Sequence, residues 1–242
     1  MPSTLFGPSR LVRQFASATP PEPEGAGGDA AERLSGWFGP IDAIKLQAAL
    51  QSIGPASGPA GKATARQVQA LAEDVQRVRG TLAQAIARDP LALAGIKPTQ
   101  ADDPGYGPWQ QRHIELQRQM AQMADAVRDH ARQSIARLSP RLRQLAALDA
   151  AFEDLLAART QALLPTTVAL LERRYHELRK AHRQACEASG EPDDPARWRE
   201  PGGWLATFAH DWRQALLAEL DLRLEPAQGL ADALRHDHDP RP

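Results

Sequence analysis

The chain has 242 residues, of which 44 are Ala and 29 Leu, while Val and Ile together number 13 and aromatics make up 5%. Strands draw on β-branched and aromatic residues and helices on Ala and Leu, so this composition excludes a sheet-dominated fold. The formal net charge of −1 names no partner, and the single cysteine, Cys186, excludes an intrachain disulfide framework and a cysteine-rich zinc site.

From the N-terminus, Ser9 caps a short helix bearing Leu11, Val12 and Phe15. Thr19 to Gly28 holds three prolines and three glycines and reads as a linker. Asp29 caps a second short helix with Leu34, Trp37 and Phe38, and Pro40 opens a third with Ile41, Ile44, Leu46, Leu50 and Ile53. The expected organisation is a small helical region over 1–54, a linker over 55–61, an elongated helical bundle over 62–235 and a disordered tail over 236–242.

The first long helix begins near Lys62. Val68, Leu71, Val75, Val78, Leu82 and Ile86 follow steps of three and four, the seam of a coiled-coil-like helix. Asp89-Pro90 stops it, and the proline- and glycine-rich stretch up to Pro108 is expected to be irregular. The second long helix starts near Trp109 and carries Leu116, Met120, Met123, Val127, Ala131, Ile135 and Leu138. Ser139-Pro140 is an N-cap with proline at the first helical position. The third long helix carries Leu142, Leu145, Leu148, Phe152 and Leu155, then Leu164, Val168, Leu171, Tyr175 and Leu178 in a different phase, with a kink expected between Arg159 and Pro165. After a breaker over 190–203, a helix runs from Trp204 to Leu224, and Glu225-Pro226 is expected to open a last short helix ending near Leu234. The fold expected is therefore all-α: a short N-terminal helical cluster plus an elongated bundle of long antiparallel coiled-coil-like helices.

Few residues offer chemistry. There is no phosphate-binding glycine loop ending in Lys-Ser/Thr and no Gly-x-Ser-x-Gly. His182 lies one turn before Cys186, spacing that suits a thiolate pair, but no third orienting group is evident and the pair reads as surface neighbours. Asp102-Asp103 and Asp193-Asp194 read as solvated turn residues, with Asp193 as a helix cap. The terminal His236-Asp237-His238-Asp239 alternates metal-binding groups without anything to pre-organise them. No catalytic residue, cofactor or metal is assigned.

Binding surfaces are better indicated. Of the 29 basic residues, 25 are Arg. Arg128, Arg132, Arg137, Arg141 and Arg143 form one cluster, and Arg173, Arg174, Arg179, Lys180 and Arg183 a second. Arg is suited to bidentate phosphate contact, so these ten are candidate nucleic-acid contacts, weighed against solvated helix faces. Trp109 and Trp198, in or beside loops, are candidate partner anchors, weighed against plugging the ends of helical packing, which is an equal account of Trp198 and the favoured one of Trp109. The apolar runs fall far below the roughly 18 residues that span a bilayer, and Met1 to Pro20 lacks an apolar h-region, so no membrane insertion and a cytoplasmic location are expected.

Four stretches carry a resemblance: Ser9-Arg-Leu-Val-Arg, Ala31 to Leu50, Arg137 to Tyr175, and Phe208 to Leu234. Within them stand Trp37-Phe-Gly-Pro-Ile-Asp42, Ala-Leu-Asp149 and Ala-Glu-Leu-Asp221-Leu-Arg-Leu. Together they resemble a family of proteobacterial helical proteins encoded beside a proton channel of the MotA/TolQ/ExbB type and an OmpA-like peptidoglycan-binding protein. The Gly-Pro after Trp37 departs from the family's continuous run. The arrangement resembles type III Zorya anti-phage defence. The resemblance implies a non-enzymatic accessory or effector subunit whose partners are the neighbouring operon products, the channel included, with self-association and DNA as further candidate partners.

Overall fold

The computed structural model describes residues 61–97 and 103–239, together with positions 44, 45, 47, 48, 51 and 53; of residues 158–165 it describes the backbone alone. The short helices expected before Pro40 lie outside the described residues. Five α-helices follow: α1 (Ala65–Ala87), α2 (Pro90–Leu93), α3 (Gly107–Ala136), α4 (Pro140–Ser189) and α5 (Trp204–His238), with a 3-10 turn at Pro195–Arg199 before α5. The protein is all-α, and no strand occurs among the described residues.

Local chemistry sets the boundaries. Thr64 and Gln67 form a capping box at the start of α1: Thr64 N–H donates to Gln67 Oε1 at 2.9 Å and Gln67 N–H to Thr64 Oγ1 at 3.3 Å. Asp89 ends the segment after α1 and caps α2, its carboxylate accepting from Leu91 N–H at 3.0 Å with Pro90 in the first turn. That single turn buries Leu91, so the connection to α3 is partly helical where irregular chain is expected. Ser139 Oγ accepts from Leu142 N–H at 3.2 Å, so α3 passes into α4 through a minimal turn, as the Ser-Pro pair implies.

Two expectations need correction. Pro226 does not restart a helix; it lies inside α5, which continues to His238. The apolar stripe Leu220, Leu224, Ala227, Ala231, Leu234 stays in phase across the proline, and all five are buried. The carbonyl that Pro226 leaves without a donor is that of Leu222, a residue 43% exposed, where water can satisfy it. The helix also persists beyond Leu234 because its last turn is held: Ser139 Oγ donates to Asp237 at 3.2 Å, and His238 Nδ1 lies 2.9 Å from the Ala63 carbonyl oxygen. In α4 the helical backbone is continuous through Pro165.

The chain divides into two compact units, with residues 62–235 contributing to both. The first comprises Met1–Val78, Met123–Thr160 and Leu222–Pro242. Its core joins Val68 and Leu71 of α1, Ala131 and Ile135 of α3, Leu142 and Ala146 of α4, and Leu230 and Leu234 of α5. The start of α1 runs antiparallel to the end of α3: Gly61 N–H donates to the Leu138 carbonyl at 3.1 Å, and Asp74 faces His130 at 3.5 Å. The boundary at 160/161 falls where the apolar stripe of α4 changes phase.

The second unit comprises Arg79–Gln122 and Gln161–Asp221, and its core is aromatic. Trp109 packs edge-on to Phe208 (5.0 Å between centroids) and Trp212 (5.3 Å), and Tyr175 edge-on to Phe208 (5.0 Å) and Trp204 (5.2 Å). Edge-to-face geometry adds about 0.5–1.5 kcal/mol per pair beyond burial. No described helix is long and apolar enough to cross a membrane.

Gly203 is where the chain presses closest on itself. A Cβ there would lie 2.4 Å from the backbone oxygens of Arg197 and Trp198. Gly203→Ala should therefore cost about 1–3 kcal/mol in chemical denaturation, as overpacking does. An unchanged denaturation midpoint would contradict this packing.

Candidate functional site

The densest gathering of chemically capable side chains lies in the second unit, where the last turns of α4 meet the loops before α3 and α5. Gly190 ends α4 in the left-handed conformation (φ +71°), and its N–H donates to the Cys186 carbonyl at 2.9 Å. This reversal brings Asp193 back beside α4. Asp194 then caps the 3-10 turn through Ala196 N–H at 3.0 Å, so Asp194 fills the cap role expected of Asp193.

Arg179 sits at the centre. Its Nε donates to Asp103 Oδ2 at 3.0 Å and its Nη1 to Asp193 Oδ2 at 2.7 Å. Its guanidinium carbon lies 4.7 Å from the ring centroid of Trp198 and 5.3 Å from that of Trp204. The aspartates are further held: Tyr175 Oη donates to Asp103 Oδ1 at 2.6 Å, Gly105 N–H to the same oxygen at 3.0 Å, and Trp198 Nε1 to Asp193 Oδ1 at 2.6 Å. Asp103 and Asp193 stay partly solvated in their turns, 34% and 29% exposed, but each has fixed partners that its sequence context does not suggest. The partners of Asp103 are 72 and 76 residues away along the chain, so no local pattern announces them.

His182 and Cys186 join this group. His182 Nε2 lies 2.9 Å from Asp193 Oδ1, and Cys186 Sγ lies 3.6 Å from the same nitrogen. A third group is therefore present, contrary to the expectation of mere surface neighbours. The geometry is not that of a nucleophilic relay, in which base and orienting acid occupy opposite ring nitrogens. Here thiol and carboxylate compete for one.

Burial pushes the carboxyl groups of Asp103 and Asp193 up, but the opposing interactions prevail. Hydrogen bonds from Tyr175, Gly105 and Arg179 hold Asp103 below its ordinary value of 3.8, and those from Arg179, Trp198 and His182 hold Asp193 below it, the Arg179 charge adding to both. For Tyr175, burial, the hydrogen bond to Asp103 and that residue's charge push the phenol far above its ordinary value.

The basic clusters fall in different units. In the first unit Arg128 grips Asp149 through Nε (2.8 Å) and Nη2 (2.7 Å) and reaches Glu153 at 3.1 Å. Arg132 bonds Glu153 at 2.5 Å and also Asp129. Arg143 Nε donates to the Ala136 carbonyl at 3.2 Å, closing the end of α3. In the second unit Arg174 pairs with Asp211 at 3.0 Å and Arg173 with Glu177 at 3.6 Å. Arg137, Arg141, Lys180 and Arg183 are exposed, with no ion pair among the described residues. Trp109 and Trp198 are only 1% and 4% exposed, so neither offers a face to a partner in this conformation; both pack internally.

Two aspartates that carry the resemblance have structural roles. Asp149 receives Arg128 and Arg132, and Asp221 receives Arg79 at 2.9 Å; Asp42 lies outside the described residues. Sequence reasoning passed over His113, fully buried with its Nε2 3.7 Å from Glu219 Oε2, which Gln117 also reaches at 3.1 Å.

The two depressed carboxyls set a pH dependence. A carboxyl held lower in the folded than in the unfolded state contributes stability that is complete above its unfolded value and is lost as pH falls through the folded one. Acid titration from about pH 5 to about pH 2 should lower the urea midpoint of the parent protein more steeply than that of Arg179→Gln. Parallel titrations of the two would contradict the assignment.

No curated protein and no solved structure matches the chain. A family model described as "protein of unknown function (DUF3348)" matches residues 1–236. Spanning nearly the whole sequence, that match places the chain in the DUF3348 family.

Proposed function

We propose that this chain is a non-enzymatic accessory or effector subunit of a bacterial anti-phage defence complex, working on the cytoplasmic side of a proton-driven envelope motor. The reading rests on the resemblance carried by the stretches around Asp149 and Asp221. One structural observation supports it above others: Arg179, Asp103 and Asp193 satisfy one another and hold two loops to α4. What the chain then offers is a helical framework for assembly. Co-expression with the neighbouring channel and OmpA-like proteins, followed by affinity purification from detergent extracts, tests it. A complex that survives size exclusion is expected; free chain in every combination would refute the reading.

A second reading has an observation of its own. Arg137, Arg141, Lys180 and Arg183 present exposed charge with no ion pair among the described residues, and such charge suits a phosphate backbone. If duplex DNA is the partner, binding weakens as salt rises, and removing the four charges together flattens the slope of log K against log salt by about 3–4. No binding at low salt removes this reading.

A further inference from the structure

We infer that His182, Cys186 and Asp193 form a binding site for one divalent cation of the zinc class, built from an imidazole, a thiolate and a carboxylate. The ligand atoms already converge: Nε2, Sγ and a carboxylate oxygen lie within 4.8 Å of one another. A tetrahedral ion with metal–ligand distances of about 2.0–2.3 Å separates its ligand atoms by roughly 3.3–3.7 Å. The observed separations are 2.9 Å for Nε2 to Oδ1 and 3.6 Å for Nε2 to Sγ. The third separation, Sγ to the carboxylate oxygen, is within 4.8 Å, so an ion is seated by drawing these two ligands together and easing the carboxylate away from Nε2.

The fold supplies these ligands in a chelating order. His182 and Cys186 stand four residues apart on α4, so both project from one helix face. The left-handed Gly190 turns the chain back and delivers Asp193 as the third ligand. Asp193 is also oriented from behind. Its Oδ2 accepts from Arg179 and its Oδ1 from Trp198, the kind of outer support that metal-binding carboxylates use. The side chains of His182 and Asp193 are 26% and 29% exposed, so an ion can reach them from solvent. Glu187, Glu191 and Arg183 line the adjoining pocket, which leaves room for water as a fourth ligand.

Ligand chemistry selects the ion class. Mg²⁺ and Ca²⁺ demand oxygen ligands, whereas a thiolate beside an imidazole selects zinc and its neighbours. The charges balance, because thiolate and carboxylate together neutralise a divalent ion while the charge of Arg179 is met by Asp103. On binding, Cys186 loses its thiol proton to solvent. In the ion-free protein Nε2–H of His182 bridges to Asp193; on binding, that proton leaves Nε2 and the neutral ring is protonated at Nδ1 from solvent, which frees the Nε2 lone pair for the metal.

The test uses the full-length protein and cobalt(II) as a spectroscopic stand-in for zinc. One equivalent should produce a thiolate-to-cobalt charge-transfer band with the intense visible bands of a tetrahedral site, and zinc should displace it. Cys186→Ser should abolish the charge-transfer band, and His182→Gln and Asp193→Asn should each weaken zinc binding by about tenfold or more. A double His236→Gln/His238→Gln variant should retain the full signal. Absence of the band in the parent protein overturns the site. A band indifferent to both His182→Gln and Asp193→Asn also overturns it, since that is a lone thiol adduct. The His182 variant keeps the test decisive should loss of Asp193 unsettle the loop. None of these outcomes depends on the assembly role proposed above.

Discussion

In the second unit one guanidinium holds three segments that the chain itself does not keep together. Arg179 lies on α4, Asp103 precedes α3, and Asp193 follows the turn that ends α4. The Arg179 side chain is 15% exposed while the carboxylates of Asp103 and Asp193 are 34% and 29% exposed, so water screens the two bonds in part. Charge-assisted bonds of this kind are roughly twice as strong as neutral ones, and the faces of Trp198 and Trp204 add cation–π attraction. Burying such a cation without partners would be costly, which is why both aspartates must be present and ionised. Lysine could not reproduce the arrangement, because a point charge lacks the planar fork that meets two carboxylates while lying on two indoles.

From that anchor the rest of the unit follows. With Asp103 held, the Tyr175 hydroxyl has its acceptor and its ring can face Phe208 and Trp204. With Asp193 held, Trp198 has an acceptor for its indole N–H and packs beside Trp204, which opens α5. Gly203 makes that packing possible by bringing backbone against backbone. The first unit solves the same problem with different chemistry. A small aliphatic core is flanked by a network in which Arg128 and Arg132 share Asp149 and Glu153 across the α3–α4 hairpin. Burial and the charge of Glu153 raise the Asp125 carboxyl above its ordinary value despite the opposing Arg223 and Arg128 charges.

How much of this could be read in advance divides along the range of the interactions. Helix existence and the buried stripes were legible because three- and four-residue spacing is local: Val68, Leu71, Val75, Leu82 and Ile86 are all buried as their spacing requires. The Ser139-Pro140 restart was legible for the same reason. Pro226 misled because a proline's local cost was weighed without the in-phase stripe on either side of it. Asp103, Asp193 and Arg179 were misread because their partners come from the loops and helix that the fold gathers, and a charged residue in a proline-rich loop resembles a solvated one until its partner is known. The tryptophans were legible in part: packing was the favoured account of Trp109, which is buried against the α5 aromatics, while loop position left Trp198 open between exposure and the burial against Arg179 that it has.

The central claim is that Arg179 couples the segment before α3 to the segment before α5. Native-state hydrogen exchange of Arg179→Lys against the parent protein measures this directly. The account predicts that amide protection falls together around Gly105 to Trp109 and around Asp193 to Trp204. Unchanged protection in both segments, or loss in one alone, would contradict it.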